Sequence, residues 1–589
     1  MISFVRATCG ELTAKEVGTH ADVRGWVNST RDHGGLIFVD LRDRFGITQT
    51  VFDPSDAPDA AAAAAKLRSE DVVAVRGAVR RRPSGTENKQ LSTGEIEIAG
   101  SEVEVLNRSL TPPFPVHGDD DVDESLRLRY RYLDLRRPRM QRNIALRHRA
   151  LKAVRDYLDG RGFLEIETPM LIKQTPEGAR DFLVPSRLHP GTFYALPQSP
   201  QLFKQILMVA GFHRYFQIAR CFRDEASRAD RQPEFTQIDI ELSFPTQDDV
   251  IELTEGMLAH TFKTALDVDV PTPFRRLTYE ESMAAYGVDK PDLRFGMELR
   301  DFGAAFAGTE FKVFASALEQ GKTIVGFVDA GGAARSRREF DALTATALEL
   351  GAKGLAWIAF GPDGVKSSLP KAATSDAAIE AIRRIGGVAG GDAVLLVADE
   401  RDAARAVAGQ LRLHVAGAKG LRDPKRFEFC WVLDFPLFER DAETGALQSM
   451  HHPFTAPAQG FASLDGDPLA LRAQHYDVVL NGSELGSGSI RIHDPQVQRK
   501  VFRMLGYTDE QVEQRFGFLL EALSYGAPPH GGIAPGVDRI IQMMVGADSI
   551  REVIAFPKNQ RFQDVMIDAP SEVGPELLRE LRLQIERPR

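Results

Sequence analysis

The run Ala60–Ala65 restricts the fold of this 589-residue chain more than any other feature. Six consecutive alanines follow Pro58-Asp59 and lead into Lys66-Leu67-Arg68. Alanine has the best helix propensity and Asp59 can cap, so the run reads as one helix. It interrupts a stretch that otherwise alternates apolar and polar residues. His20–Asn28, Leu36–Asp43, Ile47–Asp53, Asp71–Arg82 and Glu95–Leu106 read as five strands separated by Gly, Asp and Pro turn signals. A helix between the third and fourth of five strands is the order of an OB barrel, an oligonucleotide-binding module. Other small β-barrels share that order, so order alone leaves both open.

At ~150 residues per domain the length implies about four domains. A proline-rich, then acidic stretch, Thr111–Pro115 and Asp119–Glu124, reads as a linker. Arg127 to Arg149 then holds nine arginines and one acidic residue, Asp134. Most such runs are solvated faces. Between an RNA-binding barrel and an enzyme, this one is a candidate for phosphate contact. From Met140 a helical pattern places Ile144, Leu151, Val154 and Leu158 on one face and stops at Gly160 and Gly162. Residues 297–421 alternate strand-like runs (Thr323–Asp329, Leu355–Phe360, Ala393–Val397) with helices (Arg337–Leu350, Ala377–Ile385, Arg401–Leu413). That pattern reads as an inserted α/β-type unit. A charged helix, Pro575–Arg587, is expected at the end of the chain. Gly321-Lys322-Thr323 imitates the end of a P-loop, but Ser316 stands where its first glycine belongs, and the lysine precedes a strand instead of following one.

Composition narrows the function classes. The chain is 43% apolar and 26% charged, which excludes disordered, collagen-like and coiled-coil chains. Lys and Arg number 73 against 83 Asp and Glu, a net charge of -10. That excludes a uniformly basic coat but not a local basic patch. Cys9, Cys221 and Cys430 are too few and too scattered for a disulfide framework or a cysteine-ligated zinc site, so no zinc is expected. Met1–Arg6 lacks a signal-peptide core, and no run approaches the ~18 apolar residues of a membrane span. A cytoplasmic chain with no membrane partner is the expectation.

Chemistry concentrates in Gly162–Glu241, where polar groups sit in apolar, strand-like sequence. Three segments stand out: Thr175–Arg180, Gln198–Lys204, and Cys221–Glu225 continuing to Arg231–Asp239. A strand, a charged loop and a returning strand present an arginine and carboxylates, a layout suited to an anionic substrate with a metal ion.

Phe222-Arg223-Asp224-Glu225 with Phe235 resembles motif 2 of the class II aminoacyl-tRNA synthetases. Gly531–Ile540 resembles their motif 3 and Gly162–Pro169 their motif 1, while the class I His-Ile-Gly-His and Lys-Met-Ser-Lys-Ser strings are absent. Asn481–Arg491 and Met450–Phe454 extend the match, which is closest to the bacterial-type aspartyl-tRNA synthetases. The implied fold class is multidomain α+β: an OB-fold anticodon-binding domain (1–107), a hinge (108–139), a catalytic antiparallel sheet in two parts (140–296 and 422–560), the inserted α/β-type domain (297–421) and a C-terminal extension (561–589).

The resemblance implies a role for each matching residue. Arg223 would stabilise charge on the α-phosphate of ATP, and Arg539 would hold the γ-phosphate. Both are catalytic. Phe235 would stack on adenine, with Asp224, Glu225, Gln232, Glu484, Gly536, Val537 and Asp538 completing the ATP site. Asp477 and Glu484 would hold Mg²⁺, an ion that prefers oxygen ligands shared with phosphate. For L-aspartate, Lys204 and Arg491 would clamp the side-chain carboxylate, whose burial without cations would be very costly. Asp239 would face the ammonium. Glu177, Ser199, Gln201, Leu202, Phe203, His451 and His452 would contact or orient the substrate, together with Arg223. An asparagine pocket would not need two cations, and a lysine pocket would need acids instead.

At the anticodon end, Phe38 would stack on a base, with Arg31 and Gln49 as further contacts. Members strict for tRNA(Asp) tend to carry Leu at the position of His33 and Lys at that of Gly85. The His/Gly pair resembles the relaxed type that also charges tRNA(Asn). The resemblance further implies a homodimer with Pro169 at its interface, and a link to a tRNA-dependent amidotransferase that converts Asp-tRNA(Asn). Two alternatives are a strictly discriminating enzyme and an inactive paralogue serving as an RNA-binding module. The second predicts lost motif arginines, and all are present.

Overall fold

The computed structural model describes residues 4–118, 120–174, 178–226, 228 and 230–586. The chain forms two compact units, residues 1–145 with 551–571, and residues 146–550 with 572–589.

In the first unit five strands close into a barrel. His20–His33 pairs with Leu36–Arg42 and with Val72–Arg81. Ile47–Phe52 joins Leu36–Arg42 to Ile96–Asn107, which returns to Val72–Arg81. The helix Pro58–Ala64 lies between the third and fourth of these strands, the OB order. Its alanines Ala60, Ala61 and Ala64 pack into the core of Val23, Val27, Val39, Leu41, Phe52, Val75 and Ile98. Asp59 does not cap this helix. Ala57 is the N-cap, Pro58 opens the helix, and Asp59 sits in the first turn, where its charge favours the dipole. The first barrel strand runs to His33, five residues past the expected end. A bulge between Val27 and Ser29 carries the strand away from the core. Residues 30–33 are exposed, so apolar alternation vanishes although pairing continues. A sixth strand, Val5–Ala7, is too short for its pattern to be read.

The arginine run is largely internal. Arg127 grips Asp134 at 2.9 Å and Glu552 at 2.8 Å; Arg131 also pairs with Asp134 and donates to the carbonyls of Arg551, Ile554 and Ala555. Arg137 is 2% exposed, and Arg136 pairs with the buried Glu70 at 2.9 Å and covers the Trp26 ring. These four therefore serve the unit itself rather than RNA phosphate. The exposed members are Arg129, Arg139, Arg142 and Arg149.

The second unit is built on an eight-stranded sheet. Its order is Arg275–Thr278, Phe429–Leu433, His475–Leu480, Ser483–Ile490, His530–Pro535, Glu234–Ser243, Arg214–Phe222, Leu164–Glu165. The six inner strands pair antiparallel, and each edge strand adds in parallel. In the helix Pro138–Asp159 the buried positions from Leu146 onward are Leu146, Ala150, Ala153, Val154, Tyr157 and Leu158. Ile144 and Leu151, expected on the buried face, are only half-buried, because small alanines set the closest approach.

Residues 300–399 contribute a separate five-stranded sheet. Strands and helices alternate as expected, but every pairing in that sheet is antiparallel. Alternation in sequence does not fix strand direction, and the α/β-type reading is corrected to α+β. Arg412, on the helix Arg401–Ala418, donates to the carbonyls of Asp292, Phe295, Gly296 and Met297 between the Tyr286 and Phe295 rings. Burial pushes its guanidinium down to about 10. Near the chain's end the helix spans only Pro575–Glu580; Arg582 takes a left-handed conformation (φ 55°), which stops it. No helix among the described residues is long and apolar enough to cross a membrane.

Candidate active site

The strand Glu234–Ser243 alternates faces, so Asp239 and Glu241 share one side. Both carboxylates are fully buried. Lys204 reaches them from the helix Gln201–Val209, with Nζ 2.7 Å from Asp239 and 3.3 Å from Glu241. Arg491 meets Glu241 with a two-pronged grip, Nε at 3.1 Å and Nη2 at 3.2 Å. Gly532 lets this grip form: a Cβ there would lie 2.0 Å from the Ile240 carbonyl oxygen and 2.3 Å from Glu241 Oε2. Burial pushes the Glu241 carboxyl up, but Arg491 and Lys204 outweigh it and hold it below the usual range. Asp239 shifts the other way: burial raises it beyond what Lys204 and Tyr215 offset, and among the described residues its Oδ2 has no hydrogen-bond partner. Glu241 was missed in the sequence; the one available signal was its place two residues beyond Asp239.

The histidine arrangement differs from adjacency in sequence. His451 stacks on His475, with centroids 3.4 Å apart, and not on His452. Arg491 donates to His452 Nε2 at 2.9 Å, while Nδ1 lies 3.3 Å from the Phe454 backbone N–H and 3.4 Å from Thr455 Oγ1. Burial drives His451 and His475 down to about 3 and His452 well below its ordinary value, with Arg491 adding to the last.

A second carboxylate pair occupies the hairpin of His475–Leu480 and Ser483–Ile490. Ser487 Oγ lies 2.5 Å from Asp477 Oδ1 and 3.3 Å from Glu484 Oε1. Burial raises both carboxyls, and Asp477 raises Glu484 further by like charge. His475 Nε2 also lies 2.8 Å from Asp477 Oδ1, but a hydroxyl and a neutral ring leave the charge of the two acids uncompensated, so this pair suits an oxygen-loving cation. His451, His475 and Asp477 also bring one ligand atom each within 4.8 Å of one another.

The other motif residues line up along the same sheet. Arg223 is half-buried, its guanidinium carbon 5.0 Å from the Phe235 ring centroid. Arg539 donates to the Glu484 carbonyl at 2.9 Å and pairs with Asp230 at 3.1 Å. Glu225 pairs with Arg231, Asp224 N–H donates to the Arg180 carbonyl, and Gln232 is buried. Gly536 is the N-cap of Val537–Val545 and donates to the Leu485 carbonyl. Val537 is core.

Two residues face away from the expected position. The Asp538 carboxylate accepts from Thr236 N–H at 2.9 Å and pairs with Arg147 at 2.5 Å, so it joins strand to helix rather than opening to a nucleotide. Leu202 packs with Phe454, Phe502 and Phe516. Gln201, Lys204 and Gln205 share a neighbouring buried face of the helix, and among the described residues the side-chain amide nitrogens of Gln201 and Gln205 have no hydrogen-bond partner. Phe203 and Ser199 are half-buried, and Ser199 Oγ accepts from Gln201 N–H. Gln198, unassigned in the sequence, clamps the loop at Ala179 through its backbone N–H and carbonyl and also reaches Asp181. Glu177 lies outside the described residues. Pro169 is exposed beside Leu164, Met170 and Leu171, which are 54%, 37% and 52% exposed.

On the barrel, Arg31 reaches Asp40 at 3.0 Å and Gln49 at 3.4 Å, and Gln49 donates to Glu97, which Arg80 also holds. Phe38 is half-buried and pairs in register with Arg31. His33 is exposed at the strand end opposite Leu36; Gly85 is exposed at φ 87° with open space where a Cβ would stand.

The buried neutral histidines have a pH consequence. His452 and His530 are both depressed chiefly by burial. Their contribution to stability is complete above the unfolded pKa near 6.5 and is lost as pH falls below it toward their folded values, by up to about 1.4 kcal/mol per pH unit each. The urea midpoint should therefore fall between pH 7.5 and 5.5, and less steeply in His530→Asn.

The family model "tRNA synthetases class II (D, K and N)" matches residues 123–560, and "OB-fold nucleic acid binding domain" matches residues 21–106. A protein of Moorella thermoacetica named aspartate–tRNA(Asp/Asn) ligase is 55% identical over 98% of this chain and 96% of its own. One of Caldanaerobacter subterraneus with the same name is 52% identical over 98% of both chains. The solved aspartyl tRNA synthetase of Entamoeba histolytica shares the fold at a TM-score of 0.58 and 18% identity, covering 94% of this chain and 92% of that one. Matches that run through the barrel and through the whole sheet carrying the buried charge cluster place this chain in the class II (D, K and N) tRNA synthetase family.

Proposed function

We propose that this chain is an aspartate–tRNA(Asp/Asn) ligase: it activates L-aspartate with ATP and transfers the aspartyl group to tRNA(Asp) and tRNA(Asn). The observation that carries the reading is the buried array of Lys204 and Arg491 over Glu241, with Asp239 beside it. Two cations and an under-partnered carboxylate suit an amino acid bearing an ammonium and a second carboxylate. Lys204 and Arg491 receive the side-chain carboxylate, and Asp239 Oδ2 accepts from the ammonium. Neutral His451 and His452 add no charge to the pocket. Gln201, Ser199, Phe203 and Glu177 border the substrate, and Leu202 supports the helix from behind.

For ATP, Phe235 provides a stacking face. Arg223 and Arg539 offer guanidinium groups to the phosphates, where charge builds as the aspartate α-carboxylate attacks the α-phosphorus. Asp224, Glu225, Gln232, Gly536 and Val537 border that site, and Asp538 positions it through Thr236. Mg²⁺, held by Asp477 and Glu484, supplies neutralisation of the phosphate oxygens when bound. Arg31, Phe38 and Gln49 form the anticodon face, with His33 and Gly85 leaving room at its edge. A homodimer is supported by the exposed apolar edge Leu164, Pro169, Met170 and Leu171. A cytoplasmic location, an amidotransferase acting downstream on Asp-tRNA(Asn), and the six-segment division of the chain complete the reading.

Charging of purified tRNAs tests it. Both tRNA(Asp) and tRNA(Asn) should accept aspartate, and His33→Leu with Gly85→Lys should lower charging of tRNA(Asn) relative to tRNA(Asp) by about tenfold, one base contact's worth of discrimination. Aspartylation of tRNA(Asp) alone would make the enzyme a discriminating one.

A further inference from the structure

A cavity of about 840 Å³ opens away from the residues described above, where the edge strand Arg275–Thr278 and the helix Tyr279–Tyr286 meet the inserted sheet and the helix Arg401–Ala418. Five cations line it: Arg275, Arg300, Lys322, Arg401 and Arg405. Three acids also line it, but each has a local partner. Glu281 accepts from Thr278, Glu298 from Tyr286 and Arg300, and Asp301 from Gly303 and Thr323. Lys322 and Arg405 pair with Glu400 and Glu280, neither of which lines the cavity. Among the described residues, Arg275 and Arg401 form no ion pair.

Arg401 also opens its helix, a position where the dipole disfavours a cation. Arg275, from the edge strand, and Arg401, at a helix start that disfavours a cation, thus bring positive charge without an ion-pair partner among the described residues to the rim of a half-open cavity. The floor is apolar, with Leu277, Leu299, Leu318 and Val325. The size falls within the ~300–1,000 Å³ usual for small-ligand sites. RNA backbone is met by basic surface that follows the strand, whereas a concave site with an apolar floor suits a compact molecule carrying phosphate on an apolar body.

We propose that this cavity binds a small phosphorylated ligand of nucleotide size, at a site separate from the one that uses ATP. The test titrates the full chain with mant-GDP as a fluorescent probe and inorganic tripolyphosphate as competitor. Saturable binding displaced by tripolyphosphate is expected. It should weaken at least tenfold in the double variant Arg275→Ala with Arg401→Ala, and persist in Arg539→Ala. ATP–pyrophosphate exchange should be unchanged in the double variant, which removes no internal pair; Arg401→Glu alone should weaken binding as well. Binding lost in Arg539→Ala but kept in the double variant would assign the probe to the nucleotide site and overturn the proposal. No binding at millimolar probe would overturn it too, as would a double variant whose sole defect is weaker affinity for tRNA.

Discussion

Arg491→Leu is expected to cut kcat/KM for aspartate in ATP–pyrophosphate exchange by about a thousandfold, with KM for ATP little changed. Truncating one partner of a buried, hydrogen-bonded charge pair with a bound group typically costs about 2–5 kcal/mol of binding, and each 1.4 kcal/mol is tenfold. Arg491 has three tasks. It grips Glu241 with two nitrogens, donates to His452 Nε2 and donates to Ser489 Oγ at 2.6 Å. Without it, Glu241 is left with Lys204 as its remaining cation, and Lys204 is drawn from Asp239, its other partner. The defect therefore reaches both carboxylates of the buried cluster from one substitution. Arg491→Lys should recover only part of the loss, because a point charge cannot reproduce the two-pronged grip. Equal rises in KM for aspartate and ATP would make Arg491 a framework residue.

This pocket also shows what could be read from the chain alone. Lys204, Asp239 and Arg491 were singled out in the sequence because they stand in strings whose chemistry is specific, and the structure brings them together around Glu241. Glu241 was not, because its significance depends on Arg491, 250 residues away. Leu202 and Asp538 stand in the same kind of string with side chains turned to other partners, because membership in a string says nothing of side-chain direction. One residue along a helix turns about 100°, enough to send Leu202 into an apolar cluster that leaves out its neighbour Gln201. The barrel was legible down to its helix because alternation and an alanine run are local signals. Its first strand outran the pattern where it left the core, since only buried faces impose alternation. Strand direction in the inserted sheet carries no local signal at all.

The arginine run was the hardest feature to read, and its partners explain why. Glu552 lies 425 residues from Arg127 and Glu70 lies 66 from Arg136, so sequence shows nine cations and structure shows a balanced array. Asp134 is its centre: 0% exposed, it receives Arg127 through Nε and Nη2 and pairs with Arg131, with Arg137 at 3.7 Å. Burial raises the carboxyl of the neighbouring Glu552, but Arg127 pulls it below the usual range. Asp134→Ala would leave Arg131 and Arg137 buried, with no other ion-pair partner among the described residues. The expected cost is about 3–5 kcal/mol, most of what an ordinary domain has to spare. It should appear as a large fall in the urea midpoint of the first unit. Asp134→Asn, which keeps a carbonyl acceptor but no charge, should fall between the two. A phosphate-binding role for these arginines predicts the opposite pattern: intact stability, with tRNA affinity raised as a competing carboxylate disappears.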